Sequence, residues 1–308
     1  MVDVINSKYH LPQAEIPANV WNGTLQPFDL KDLRFFPKDD FSYRATKGSM
    51  KAIGLGNLFC SITDGRAAIF NLSNSLHKVC HGGINYTDFT RSQIIDVSDW
   101  IGDTLNYNFN GSELWGRFEF GVNIEVKDPA LYTNAQNNFK GYLPENMKRG
   151  NKAYGNKFDA ATFDIKAYNP IKKMQLNNEN LENPDLKIIR FEKVMRIGNL
   201  RKNGIDLRNV KDLSNKDILA KLGKSLYNSA KQIKLIMTLP EDANYKDLYI
   251  LHLFQNMTLE QRKNFRKTKS STYNRFAKRY KILQKMYKPE KLDISEKIKD
   301  KWFELLES

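Results

Sequence analysis

The sequence predicts an α+β chain, an antiparallel sheet domain followed by an all-helical C-terminal region, and three observations predict it. Apolar residues alternate with polar ones along RFEFGVNIEV (117–126) and again through KIIRFEKVMR (187–196), the period of strands with one buried face. Asp64-Gly65 separates two apolar-rich runs, a hairpin turn signal because both residues tolerate positive φ. After Gly204 the strand signals stop, and helix-like segments follow, which places a boundary near residue 205.

Taken in order, residues 1–40 hold several prolines and little periodicity and read as a loosely structured lead-in. A domain over 41–205 then opens with the strand-like runs SMKAIGLG, NLFCSIT and RAAIFNL. GLGN (54–57) has no helical pattern after it, so it reads as a bend in a sheet and not as a phosphate loop. NSLHKVCHGGINYTDF (74–89) closes this sheet segment, with alternation aiming Ser75 and His77 one way and leaving His81 in the turn. A helix is predicted from Thr90, where Thr90 and Gln93 form a capping box and Ile94, Val97, Ile101 and Leu105 recur at helical spacing. Asp128-Pro129 supplies an N-cap and first-turn proline for a helix over ALYTNAQNNF, and the polar stretch 141–157 reads as a loop or arm. FDIKAY is a further strand. Beyond residue 205, segments around 213–236, 244–256, 258–269 and 271–288 form a helical region, 206–308.

The chain has 308 residues and is 41% apolar, enough for one large domain or two modest ones. It contains no 18-residue apolar run, and its N-terminus lacks a basic region followed by an apolar one. The expectation is a cytoplasmic protein with no membrane partner. Two cysteines, Cys60 and Cys80, fit a reducing compartment and cannot make a four-thiolate zinc site. The formal charge is +14, yet Arg262 to Lys288 holds eleven Lys or Arg and no Asp or Glu, leaving +3 for the rest. Such a segment suits a polyanion, whose condensed counterions Lys and Arg displace; a solvated helix face is the other reading.

Two strands share a pattern, Arg117-Phe118-Glu119 and Arg190-Phe191-Glu192. If they are neighbours, Glu119 and Glu192 can hold a hard divalent cation, Mg²⁺ or Mn²⁺, with His77 as a further candidate ligand. The structural alternatives are Arg–Glu pairs on a solvated face and a hydrogen-bonded histidine. In FDIKAYNPIKK, Asp164, Lys166 and Tyr168 share one face. A tyrosine beside metal-binding acids is what a DNA-nicking transesterase requires: a base or cation activates the phenol, whose pKa in water is about 10. Attack on a phosphodiester then leaves a 5′-phosphotyrosine and a free 3′-hydroxyl. Packing is the structural reading of the same tyrosine.

These pieces also carry a resemblance. SLHKVCHGGIN resembles the serine-x-x-lysine segment and glycine-x-asparagine turn of the gene II type replication initiators of filamentous phages. WGRFEFGVNI resembles their arginine-x-acid strand, DIKAY their strand with the active tyrosine, and IIRFEKVMRIGNLRKNGI their arginine-phenylalanine-glutamate strand. The likeness extends over roughly 45–210 and is greatest to proteins of Bacteroidetes phages and mobile elements. It implies an HUH-like nicking domain and a rolling-circle initiator that nicks one strand of a double-stranded origin and rejoins the displaced single strand, with host helicase and polymerase as partners in a bacterial cell. By position, Tyr168 is then the nucleophile, and Glu119 and Glu192 are the metal-site acids. Pro170 stands where related proteins carry lysine, so Lys172 or Lys173, with Lys166 on the tyrosine's own face, are the candidate basic helpers. The glycine-x-asparagine turn also has an extra residue, Gly82-Gly83-Ile84-Asn85.

The basic segment has a capping box at Thr258 and Gln261, a break at Ser270-Ser271, and Tyr273, Phe276, Ala277, Tyr280 and Leu283 at helical spacing. The predicted DNA contacts are Lys78, Arg262, Lys263, Arg266, Lys267, Arg275, Lys278, Arg279, Lys281 and Lys285, in a helix-turn-helix manner. A non-enzymatic DNA-binding regulator on the same fold is the competing reading.

Overall fold

A computed structural model describes residues 1–11, 43–46, 50–55, 58–63, 68–105, 108–179, 181–235, 244–286 and 294–308. The predicted Asp64-Gly65 turn, the second half of GLGN and most of the lead-in lie outside these residues. In chain order the strands are β1 (Val4–Leu11), β2 (Tyr43–Thr46), β3 (Met50–Leu55), β4 (Leu58–Thr63), β5 (Ala68–Ser75), β6 (Glu113–Leu114), β7 (Arg117–Glu125), β8 (Gln136–Phe139), β9 (Glu145–Arg149), β10 (Lys152–Asp159), β11 (Phe163–Tyr168), β12 (Ile188–Arg196) and β13 (Ile233–Leu235). The α-helices are α1 (Leu76–Cys80), α2 (Arg91–Leu105), α3 (Pro129–Ala135), α4 (Pro170–Leu176), α5 (Ile197–Lys202), α6 (Lys216–Gln232), α7 (Tyr245–Asn256), α8 (Leu259–Thr268), α9 (Ser270–Met286) and α10 (Ser295–Glu307). The class is α+β, with antiparallel pairing and a helical C-terminal region. No helix among the described residues is long and apolar enough to cross a membrane.

One sheet has the strand order β2-β3-β4-β5-β1-β6, a second β7-β12-β11-β10-β9, and a third pairs β13 with β8. The chain divides into two compact units, each built from separated segments: 1–123, 192–224 and 300–308 in the first, 124–191 and 225–299 in the second. The predicted boundary near 205 falls inside the first unit's segment 192–224, the one at 40 lies outside the described residues, and α6 and α10 each contribute to both units.

In the first unit β1 pairs antiparallel with β5 from Val4 opposite Ser75 to Leu11 opposite Ala68. Part of the expected loose lead-in is thus a strand of the sheet. The sequence concealed it because Asn6, Ser7 and Lys8 break the apolar alternation. Asn6 is instead fixed by polar contacts: it accepts from the Ser73 hydroxyl and donates to the Arg117 carbonyl at 2.8 Å. The Thr90–Gln93 capping box forms, with Thr90 N donating to Gln93 Oε1 at 2.9 Å and Gln93 N to Thr90 Oγ1 at 3.3 Å. Ile94, Val97 and Ile101 of α2 are buried, as their spacing predicts. From α10, Trp302 lies edge-on to Phe120, and its indole donates to the Leu219 carbonyl at 2.9 Å. It also abuts Gly223, where any Cβ would collide with the indole.

In the second unit Asp128 caps α3 as predicted, accepting from Ala130 N at 2.8 Å and Leu131 N at 3.2 Å. The helix ends at Ala135, however, and Gln136–Phe139 becomes β8. Lys140 (φ +52) and Gly141 (φ +97) then turn the chain back on itself, the positive pair a two-residue hairpin needs. The expected loop at 141–157 holds β9 and most of β10, joined where Gly150 takes φ +57. β9 is exposed along most of its length, so no apolar alternation marks it. A further correction lies within the predicted all-helical region, where β13 pairs with β8. Helices α7, α8 and α9 pack around Ile250, Leu251, Phe254, Met257, Tyr280 and Leu283.

Candidate metal centre and basic helical surface

The metal-centre candidates converge in the first unit. Val2 forms an antiparallel bridge with Phe120, Asp3 N donates to Glu119 O at 2.8 Å, and Gly121 N donates to Met1 O at 2.9 Å. On the other side Leu76 N donates to Asp3 O at 2.9 Å. The backbone around Asp3 is thus fastened both to β7 and to the start of α1. Its carboxylate meets those of Glu119 on β7 and Glu192 on β12, with one oxygen from each within 4.8 Å of the others. Asp3 and Glu192 are buried and Glu119 half-buried.

Such a cluster is costly alone. Two unit charges 4.8 Å apart repel by about 3 kcal/mol at an effective dielectric constant of 20, and three carboxylates make three such pairs. An all-oxygen, anionic donor set is what a hard divalent cation takes, so these residues fit Mg²⁺ or Mn²⁺. Asp3 escaped sequence reasoning because the segment around it lacked strand periodicity. The available signal was an acid between two valines, Val2-Asp3-Val4, which is strand-like sequence.

The SLHK segment has a different local structure from that expected. Ser75 ends β5 and caps α1, accepting from Lys78 N at 3.0 Å, while its hydroxyl donates to the Asp3 carboxylate. The serine-x-x-lysine spacing is therefore the N-cap-to-N3 spacing of a short helix, and its serine helps to position Asp3. His77 lies on this helix, not on a strand. It is buried, stacked on Phe89 with centroids 5.0 Å apart, and 3.4 Å from Thr87 Oγ1 through Nε2. His77 is not among the residues that meet at the acidic cluster. His81 is one turn further on, its ring centroid 5.0 Å from that of His77, and burial holds its imidazole below the ordinary value. Cys80 is buried, its thiol pushed up to about 11 by burial and then by Asp96.

In the second unit, β11 holds Tyr168 with only 2% of its surface exposed. Asp164 is buried and Lys166 half-buried, so this face is not a solvated edge. Arg190 and Glu192 of β12 are buried as well, which excludes a solvated row of Arg–Glu pairs there. Gly155 lies opposite Tyr168 in the β10–β11 register, and Tyr154 meets its ring edge-on at 6.0 Å. Pro170 occupies the first turn of α4, where its missing N–H costs nothing, and Asn169 caps the helix. One turn of this helix puts Lys173 Nζ over the Tyr168 ring, 5.2 Å from its centroid, whereas Lys172 is exposed. Of these two lysines, Lys173 is the one whose ammonium reaches the Tyr168 ring.

The basic residues of α7–α9 separate into two sets. Arg262 donates to the carbonyls of Phe254 and Met257, closing the C-terminus of α7. Arg279 holds Asp247 through two hydrogen bonds, Nε to Oδ1 at 2.8 Å and Nη2 to Oδ2 at 2.5 Å. These two arginines hold the fold. Lys263, Arg266, Lys267, Arg275, Lys278 and Lys281 are exposed; Lys78, in the first unit, is half-buried, and the Lys285 side chain lies outside the described set. A single residue, Lys269, joins α8 to α9, shorter than the three- or four-residue turn of a helix-turn-helix.

No protein-family model matches the chain, and a search of curated proteins returned no match.

Proposed function

We propose that this chain is a metal-dependent DNA-nicking and rejoining protein of the HUH-like kind, which initiates rolling-circle replication. The convergence of Asp3, Glu119 and Glu192 carries the reading, because three carboxylates brought together by separate segments of the chain suit a phosphodiester-cleaving metal centre. These side chains would hold Mg²⁺ or Mn²⁺, which when bound polarises a scissile phosphate. Tyr168 is the nucleophile. Its phenolic oxygen gives up its proton and forms the bond to phosphorus, the P–O3′ bond breaks, and the leaving 3′-oxygen gains a proton in place of the one the phenol lost, so that a 3′-hydroxyl is released. Lys173, its Nζ 5.2 Å from the centre of the Tyr168 ring, places a positive charge beside the nucleophile. Rejoining runs the same steps in reverse, with the 3′-hydroxyl attacking the phosphotyrosine. Since Tyr168 is nearly all buried, DNA binding must uncover its hydroxyl.

The test is a supercoiled plasmid carrying the origin of the element that encodes the chain, incubated with Mn²⁺ or EDTA. Nicking with the metal only, a covalent protein–DNA adduct, and loss of both in Tyr168→Phe are expected. Undiminished nicking by Tyr168→Phe would sink the assignment. The burial of Tyr168 favours the competing reading, a non-enzymatic DNA-binding regulator; such a protein shifts labelled duplex equally in EDTA and in Mg²⁺ and never cuts it.

A further inference from the structure

The solvent face of α7 is aromatic. Ile250, Leu251 and Phe254 turn inward, while Tyr245, Tyr249, His252 and Asn256 follow one another at intervals of four, three and four along the exposed face. Tyr245 is 85% exposed and Tyr249 51%. One turn separates the two rings, about 6 Å along the axis. The surface continues onto α9, where Phe276 meets Tyr249 edge-on at 6.3 Å and Arg275 lies over the Phe276 ring at 5.6 Å. Single exposed aromatics are ordinary, but aromatics in sequence on one strongly basic surface are not.

The charge around them has one sign. From Asn244 to Met286 there are eleven Lys or Arg against Asp247 and Glu260 alone. Asp247 is neutralised by the two hydrogen bonds it accepts from Arg279, so it does not repel an approaching anion. Arg275 and Lys278 stand exposed one turn apart on α9, the helix that carries Phe276.

We infer that α7 and α9 form a stacking platform for single-stranded nucleic acid, with unpaired bases on Tyr245 and Tyr249 and phosphates on Arg275 and Lys278. Aromatic faces interleaved with cations are the combination that binds single strands without reading sequence. A duplex keeps its bases stacked on one another and offers this surface phosphates only, so the aromatic row distinguishes the two forms. The inference deepens the proposed function by giving the displaced strand a holding surface, but its test needs no cutting.

The full chain is titrated in EDTA with a fluorescein-labelled 20-mer of oligo(dT) and with a 20-base-pair duplex. Tyr245→Ala/Tyr249→Ala is expected to weaken oligo(dT) binding tenfold or more and duplex binding less than threefold. Tyr245→Phe/Tyr249→Phe should restore it, since stacking needs the ring and not the hydroxyl. Arg275→Ala/Lys278→Ala should weaken both forms and flatten the salt dependence. Tyr245→Ala alone, at the most exposed position, guards against a folding defect in the double variant. Unchanged oligo(dT) affinity in the alanine variants, or equal losses on both nucleic acids, would overturn the inference. So would a change of oligomeric state in the tyrosine variants with affinity intact, which would assign the face to a second copy. If the chain binds oligo(dT) through these residues but fails to nick, the platform stands and the proposed activity falls.

Discussion

Asp3→Asn removes one charge from the acidic cluster while keeping the side chain's size and its capacity to accept from Ser75. Two of the three carboxylate pairs, each about 3 kcal/mol at an effective dielectric constant of 20, lose their repulsion. In EDTA the variant should therefore melt no lower than the parent and is expected to melt a few degrees higher. With Mn²⁺ at a hundred times its dissociation constant, the parent gains about 2.7 kcal/mol, or roughly 5 °C at about 2 °C per kcal/mol for a chain of this size. If the lost carboxylate weakens the metal a hundredfold, the variant gains only about 0.4 kcal/mol, under roughly 1 °C. Thermal melts in EDTA and across a Mn²⁺ titration measure both effects. An Asp3→Asn chain that keeps the parent's full metal-dependent rise, or that loses stability in EDTA, would refute the cluster as a metal centre.

Three other outcomes follow from the same geometry. A Cβ on Gly155 would lie 2.5 Å from the Tyr168 Cα and 2.6 Å from the Ala167 carbonyl oxygen, so Gly155→Ala must displace backbone; a loss of about 1–3 kcal/mol is expected in urea melts. The Arg279 guanidinium, through its hydrogen bonds first, holds the Asp247 carboxyl below its ordinary 3.8. That stabilisation is present above the ordinary value and lost as pH falls through the lower folded one. Asp247→Asn should therefore cost about 1 kcal/mol at pH 7, with the gap to the parent closing as the pH falls below the ordinary 3.8. Burial, and then Arg262, pushes the Lys234 amine down to about 8 from 10.5. Between those values the unfolded chain binds the proton more readily, so stability rises with pH through the window. Lys234→Met is expected to stabilise at pH 7, and its advantage over the parent should vanish near pH 10.5; an advantage that persists there would count against a desolvated ammonium as its origin.

What could be read from the sequence was whatever repeats or caps locally. The alternation of Phe118, Phe120, Val122 and Ile124 identified β7, and Asp128-Pro129 and Thr90–Gln93 marked helix starts that the structure contains. Sequence patterning failed where long-range pairing decides the element. β1 is held by β5 through residues about 57 to 71 positions away, and β13 by β8 through residues nearly 100 positions away. Neither has the periodicity to signal itself. Asp3 shared this fate, since its place is set by bonds to Glu119 and Leu76. Ser75–Lys78 was visible as a spacing, but whether it was a strand or a cap depended on the Ser75 backbone at φ −87 and ψ 112. Burial was the other hidden quantity: Arg190 and Glu192 looked like a polar face and are almost wholly enclosed.

The division of the chain into separated segments bears on when it becomes competent during synthesis. Asp3 leaves the ribosome before Glu119, Glu119 before Glu192, and Trp302 last of the four. Yet Trp302 belongs to the same unit as all three acids and packs on Phe120, the neighbour of Glu119. At 5–20 residues per second, roughly 15 to 60 s separate the first acid from the indole that completes the packing beside it. A nascent chain thus carries the first acids well before the packing that holds them in place. Removing 206–308 as a detachable module would leave that unit permanently in its unfinished state.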